Sequence, residues 1–286
     1  MTKRVAVVAH YERDDVVALI VQTMAWLAER GHEGWLLPDD GIELDLHHHA
    51  DERPLAEAEI VVCLGGDGTM LRAVGALDGA PVPLLGVNFG QLGYLTEIEP
   101  SELIDSLDRV LRDDDSGWNL DERLMLTATA RRGDEELGQW RALNEVVVEK
   151  HAAGHTVSLL ARIDGEPFTS FAADGLIVAT PTGSTAYSLS ARGPVVSPRH
   201  RALLLTPVSP HMLFDRTLVL DPAEAVEIEV LGHRRAEVAV DGRLVLTLEP
   251  GDVIRCRPAA ETARFIRFGP YHYHQILKQK FGLTDR

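Results

Sequence analysis

The hydrophobic positions of this chain follow two different periods. In the first third, short apolar runs alternate with stretches of helical spacing. Residues 4–9 (RVAVVA) form a buried-strand pattern, and residues 14–30 carry Val17, Ile20, Val21, Met24 and Leu27 on one helical face before Gly31 closes the helix. Residues 35–37, 60–64 and 83–87 are further strand candidates, with a helical pattern over 69–77 between the last two. After Pro100, Leu103, Ile104, Leu107, Val110 and Leu111 make one more apolar helix face. Strand and helix alternating in this way predict an α/β domain with a parallel sheet.

An acidic segment, Asp113-Asp114-Asp115-Ser116-Gly117, ends that regime. Beyond it the period becomes two, with Leu124, Leu126 and Ala128, and later Val226, Ile228 and Val230, alternating with polar residues. Asp164-Gly165, Asp241-Gly242 and Pro250-Gly251 punctuate the runs as hairpin turns would. The pattern predicts an α/β domain over 1–118 and a mostly β domain over 119–268. The aromatic tail after Phe268 includes a helix over 274–281 and supplies Tyr271, Tyr273, Ile276, Leu277 and Phe281, which need an apolar surface. That surface is expected on the first domain, so that 269–286 joins 1–118.

Composition narrows the chemistry. The chain has 286 residues, 45% of them hydrophobic, and a formal charge of -16. Such a charge argues against a nucleic-acid partner or an acidic membrane surface, both of which reward clustered Lys and Arg. No apolar run approaches a membrane span and no leader pattern is present, so no membrane association and a cytoplasmic location are expected. The two cysteines, Cys63 and Cys256, lie in candidate strands without metal-ligand spacing and are expected to be buried free thiols. His47-His48-His49 sits in a polar loop with no second ligand pair. No protein metal-ligand set is therefore assigned.

The stretch carrying most chemistry is Gly65-Gly66-Asp67-Gly68-Thr69, where the third strand stops and a helix begins. Its glycines allow backbone N–H groups to converge on a phosphate, making Gly65, Gly66, Gly68 and Thr69 a candidate phosphate loop. A carboxylate in that cradle would repel phosphate unless it binds metal or takes a proton from an attacking hydroxyl, which points to phosphoryl transfer. The alternative is a sharp turn with Asp67 as helix N-cap.

Residues 88–96 (NFGQLGYLT) follow the fourth strand and would lie on the same rim, with Tyr94 as a stacking surface or, alternatively, a core residue. Asn144-Glu145 interrupts an apolar stretch and could grip a ribose diol, or be a solvated strand end. Residues 174–190 (DGLIVATPTGSTAYSLS) run from a strand into a hydroxyl-rich turn suited to a polar ligand or, equally, to helix capping.

Together, GGDGTML, NFGQLGYLT, Asn144-Glu145 and DGLIVATPTGSTAYSLSARGP resemble, in order and spacing, the motifs of the NAD kinase family. The resemblance implies an α/β domain followed by a β domain, ATP as phosphoryl donor, NAD as acceptor, a divalent metal such as Mg²⁺, and a homodimer or homotetramer. It implies that Asp67 is the general base. It further implies that Asp67, Gly68, Arg72, Tyr94, Asn144, Glu145, His155, Asp174, Thr185, Ala186, Tyr187, Ser188, Ser190, Gly242 and Arg243 bind NAD.

The chain departs from the family pattern at Gln91 and Ala172, where basic residues are frequent, at Arg192, where Gly is usual, at Thr217 for Pro and at Arg243 for Gln. The lost charges at 91 and 172 leave Arg72, Arg243, backbone amides and metal to offset the phosphates. The implied reaction is transfer of the ATP γ-phosphoryl group to the adenosine ribose 2′-hydroxyl of NAD. The alternatives are a non-catalytic dinucleotide sensor, or a lipid or sugar kinase sharing the GGDGT turn, which lacks the TPTGSTAY segment.

Overall fold

A computed structural model describes residues 2–11, 14–90, 93–112 and 117–283. Gln91 and the acidic run 113–116, singled out in the sequence, lie outside the described residues. The chain divides into two compact units, Met1–Glu122 with Ala263–Arg286, and Arg123–Thr262. The boundaries fall inside two long strands, β5 (Asn119–Arg132) and β16 (Val253–Arg267), which each run from one unit into the other.

The first unit is an α/β fold. Its strands β1 (Arg4–Ala9), β2 (Glu33–Leu36), β3 (Ile60–Gly65) and β4 (Leu84–Asn88) lie in the order β2-β1-β3-β4, all parallel. The last residues of β16 continue the sheet beside β4, with Phe265 opposite Leu84. β1, β3 and β4 are almost wholly buried, as expected of strands covered on both faces. Helices α1 (Asp14–Glu29), α2 (Pro38–Glu43), α3 (Asp67–Leu77) and α4 (Leu103–Leu111) connect them. Val16, Ile20 and Leu27 of α1 and Leu103 and Leu107 of α4 pack on Val5, Val7, Val62 and Leu85.

The second unit is antiparallel β. One sheet has the order β12-β11-β10-β7-β14-β15, built from β7 (Glu145–Lys150), β10 (Gly175–Ala179), β11 (Leu203–Val208), β12 (Leu218–Leu220), β14 (Ala236–Val240) and β15 (Arg243–Leu248). The other pairs β16 with β13 (Val226–Leu231), then β8 (Val157–Ile163) and β9 (Glu166–Ala173). β6 (Glu135–Ala142) pairs with β5. Their inward residues, among them Leu126, Val148, Leu159, Val178, Ile228 and Ile254, form one continuous core. The Asp164-Gly165 and Asp241-Gly242 turns close hairpins with both residues at positive φ, the geometry that favours Asp-Gly.

A short helix α5 (Tyr187–Ser190) follows β10, and α6 (Tyr273–Lys280) closes the chain. In the tail, Tyr273 is buried against Tyr94, with ring centroids 6.1 Å apart, and Lys280 lies over the Tyr94 ring at 4.5 Å. Both cysteines are buried and free. Among the described residues no helix is long and apolar enough to cross a membrane.

Candidate active site

In the order β2-β1-β3-β4 the chain leaves β1 and β3 in opposite directions. The carboxyl ends of those two strands are therefore a topological switch point, where open α/β sheets bind ligands. A cavity of about 640 Å³ opens there, lined by Ala9, His10, Tyr11, Gly65, Gly66, Gly68, Thr69, Arg72, Asn88, Phe89 and Gly90. A Cβ on Gly66 or Gly68 would meet no protein atom within 4 Å, so both glycines leave their space to a ligand. Gly65 is different: a Cβ there would lie 2.2 Å from Thr69 Oγ1, so this glycine lets the strand approach the helix.

Asp67 is not the helix cap. Gly66 occupies the N-cap position without a side-chain bond, and Asp67 is the first residue of α3. Its carboxylate instead accepts the backbone N–H of Tyr94 at Oδ2 and of Leu95 at Oδ1, both at 2.9 Å. Gly93 makes this possible, because a Cβ there would lie 2.3 Å from Asp67 Oδ1. Each oxygen keeps a second lone pair, so Asp67 is fixed in place and still able to accept a proton.

Arg72 lines the cavity, but its guanidinium is committed: it spans both oxygens of Asp40, which is fully buried, and donates to the Ala9 carbonyl. Its positive charge is largely matched by Asp40, which limits what it offers a phosphate. The Tyr94 ring is half-buried, with the tail's Tyr273 and Lys280 against it. What Tyr94 gives Asp67 is its backbone N–H.

In the second unit, Asp241 organises the segment carrying Asn144-Glu145. Its carboxylate accepts the backbone N–H groups of Leu143, Asn144 and Glu145 at 2.7, 2.8 and 3.0 Å. The hydroxyl-rich turn docks on the same segment: Thr180 donates its N–H to the Asn144 carbonyl and its hydroxyl to Leu143. A Cβ on Gly183 would lie 2.1 Å from the Asn144 carbonyl oxygen, so this close approach requires glycine.

Glu145 is not a solvated strand end but only 6% exposed. Burial, reinforced by the Asp241 charge, pushes its carboxyl up to about 8 despite the N–H donated by Tyr187. At neutral pH it holds a proton and can donate as well as accept, and its Oε2 has no protein partner. A polar ligand atom would complete it.

Thr185 and Ala186 are half-buried, while Tyr187, Ser190, Gly242 and Arg243 are exposed. Ser188 is fully buried, facing the Thr206 hydroxyl at 3.1 Å, which in turn meets Thr217 Oγ1 at 3.0 Å. The substituted Thr217 thus ends a hydroxyl chain. Asp174 pairs with Lys150 at 2.5 Å. His155 is exposed and lines a separate cavity of about 270 Å³ with Lys150, His151, His233, Arg234 and Arg235.

The roles of Asp40, Gly93 and Asp241 were not assigned from sequence. Gly93 and Asp241 stood inside motifs, whereas Asp40 carried no local signal. No group of three metal-ligating side chains occurs among the described residues. A divalent ion held mainly by substrate phosphates, with at most one carboxylate from the protein, suits this donor set, since Mg²⁺ is commonly bound that way.

The profile of the ATP-NAD kinase N-terminal domain matches residues 5–115, and that of the ATP-NAD kinase C-terminal domain matches residues 143–268. An NAD kinase of Syntrophotalea carbinolica is 37% identical over 99% of this chain and 100% of its own length. An NAD kinase of Heliobacterium modesticaldum is 42% identical over 79% of each chain. Among solved structures, yeast NADH kinase complexed with NADH superposes with a TM-score of 0.87 at 24% identity, covering 100% of this chain and 89% of that one. An Archaeoglobus fulgidus NAD kinase in complex with ATP gives 0.72 at 24% identity, covering 98% and 97%. On the two matched domains and the near full-length 37% identity to the Syntrophotalea carbinolica enzyme, the chain belongs to the ATP-NAD kinase family.

Proposed function

We infer that this protein phosphorylates the adenosine ribose 2′-hydroxyl of NAD, using ATP and releasing NADP and ADP. The observation that carries the reading is the placement of Asp67 at the β1–β3 switch point. There it stands among open glycines, held by two amides and not consumed as a cap. Asp67 takes the proton as O2′ attacks the γ-phosphorus, and the bond to the ADP oxygen breaks as the new P–O bond forms. The proton passes to solvent, so atoms and charge balance.

The turn of Gly65, Gly66, Gly68 and Thr69 at the α3 N-terminus is assigned to the phosphates, although the Thr69 N–H already donates to the Gly66 carbonyl at 3.1 Å. Asn144 and protonated Glu145 hold ribose hydroxyls, with Thr185, Ala186, Tyr187, Ser190, Gly242 and Arg243 around the dinucleotide. Asp174 and His155 are assigned to NAD binding with them. A divalent ion such as Mg²⁺, brought on the ATP phosphates, supplies charge neutralisation there. A cytoplasmic homo-oligomer is the expected form, and light scattering on the purified chain measures the assembly.

Incubation with ATP, Mg²⁺ and NAD should yield ADP and a dinucleotide that an NADP-specific dehydrogenase reduces. A product that this dehydrogenase rejects would mean another acceptor hydroxyl. No product would leave the dinucleotide-sensor reading.

A further inference from the structure

Arg267, at the end of β16, is 1% exposed, which is unusual for a charge. It meets Glu97 at 2.9 Å and Asp121 at 3.2 Å, and its fork reaches the carbonyls of Leu95 and Thr96 at 3.2 and 3.0 Å and that of Tyr94 at 3.5 Å. Tyr271, in the tail, donates its hydroxyl to the same Tyr94 carbonyl at 3.0 Å, and its ring lies 4.7 Å from the Arg267 guanidinium. Glu97 also accepts the Phe268 N–H at 2.8 Å, tying loop and tail together.

One peptide unit therefore has a hydrogen-bond partner on each side. The Tyr94 carbonyl accepts from Tyr271 and Arg267, and the Leu95 N–H of the same peptide donates to Asp67. Donation to a carbonyl polarises its amide and strengthens the N–H as a donor. It also fixes the peptide plane, and hence the carboxylate oxygen it holds. A buried Arg with two acidic partners adds little to stability over an apolar cluster, so its geometry is the more informative feature.

We propose that Tyr271 and Arg267 are positioning residues that hold the Tyr94–Leu95 peptide, and through it Asp67, in the orientation needed for proton transfer. The C-terminal tail then contributes to catalysis through the Tyr94–Leu95 peptide. The proposal rests on Asp67 being the base.

The test is a double-mutant cycle of Tyr271→Phe and Asp67→Asn, reading kcat and both KM values. Tyr271→Phe keeps the ring beside Arg267 and removes one hydroxyl. In the native background kcat should fall roughly 3- to 10-fold, the worth of one hydrogen bond, with KM for NAD and ATP unchanged. In the Asp67→Asn background the same change should have no effect on the residual rate, because no base remains to be oriented. Arg267→Lys, which keeps the charge but loses the fork, should repeat the pattern with a larger fall. An unchanged kcat, or an equal fall in both backgrounds, overturns the positioning role. Near-native turnover in Asp67→Asn alone overturns the underlying assignment of the base instead.

Discussion

Gly93→Ala isolates steric control of Asp67. Gly93 is not among the glycines at positive φ, so alanine brings no backbone strain at this position. The new methyl would stand 2.3 Å from Asp67 Oδ1 and 2.8 Å from Thr96 Oγ1, where ordinary contact begins near 3.4 Å. Relief requires the carboxylate or the loop to retreat by about 1 Å, the scale of misplacement that costs about 10²-fold in rate. That loss corresponds to about 2.7 kcal/mol in the barrier. Part of the clash also appears as lost stability, about 1 to 2 kcal/mol, since a packed loop yields incompletely.

The assay is steady-state NADP formation at saturating ATP and NAD, alongside a urea melt of the same preparation. We expect kcat to fall about 100-fold while KM for NAD changes little. Native kcat in a folded Gly93→Ala enzyme would refute the claim that the loop fixes Asp67.

Gly68→Ala meets no protein atom, so it should fold normally, with higher KM for ATP because its methyl occupies the ligand's space. Unchanged KM would remove Gly68 from the phosphate loop. Arg192 sits at φ 67, so Arg192→Gly should stabilise the protein by about 0.5 to 1 kcal/mol, the left-handed penalty less the added chain entropy; a lower midpoint in a urea melt would contradict this. Asp241→Ala strands three amides and should cost about 2 to 4 kcal/mol while raising KM for NAD; a native melt would show the amides find other partners.

Glu145 gives a pH signature. Its folded value is raised from the ordinary carboxyl range to about 8, so the folded state holds the proton more tightly than the unfolded chain. Its favourable contribution is complete below about pH 4.5 and declines as pH rises to about 8. Glu145→Gln should therefore flatten the loss of stability between about pH 4.5 and 8, by on the order of a few kcal/mol. Parallel pH profiles for the two proteins would sink the assignment.

The parallel order of the first unit and the hairpins of the second were legible because burial imposes a period and Asp-Gly imposes a turn. The Asp67 turn was legible too, since its glycines punctuate an apolar strand. What sequence could not supply was who holds the side chains. Gly93 lies 26 positions from the carboxylate it accommodates, and Asp40 is 32 from the Arg72 it neutralises. Such pairings are set by how loops fold over the sheet edge, which periodicity does not encode. The hydroxyl partner of Ser188, Thr206, is likewise distant in sequence and was not legible from the motif.

The central claim is that Asp67 serves as base for phosphoryl transfer to NAD. The most direct measurement is kcat of Asp67→Asn beside its affinity for NAD by calorimetry. Asn keeps the shape and one acceptor oxygen but removes the charge that takes the proton. Turnover should be lower by roughly 10² to 10⁴ with NAD affinity within a small factor of native. Near-native turnover in the folded variant would contradict it.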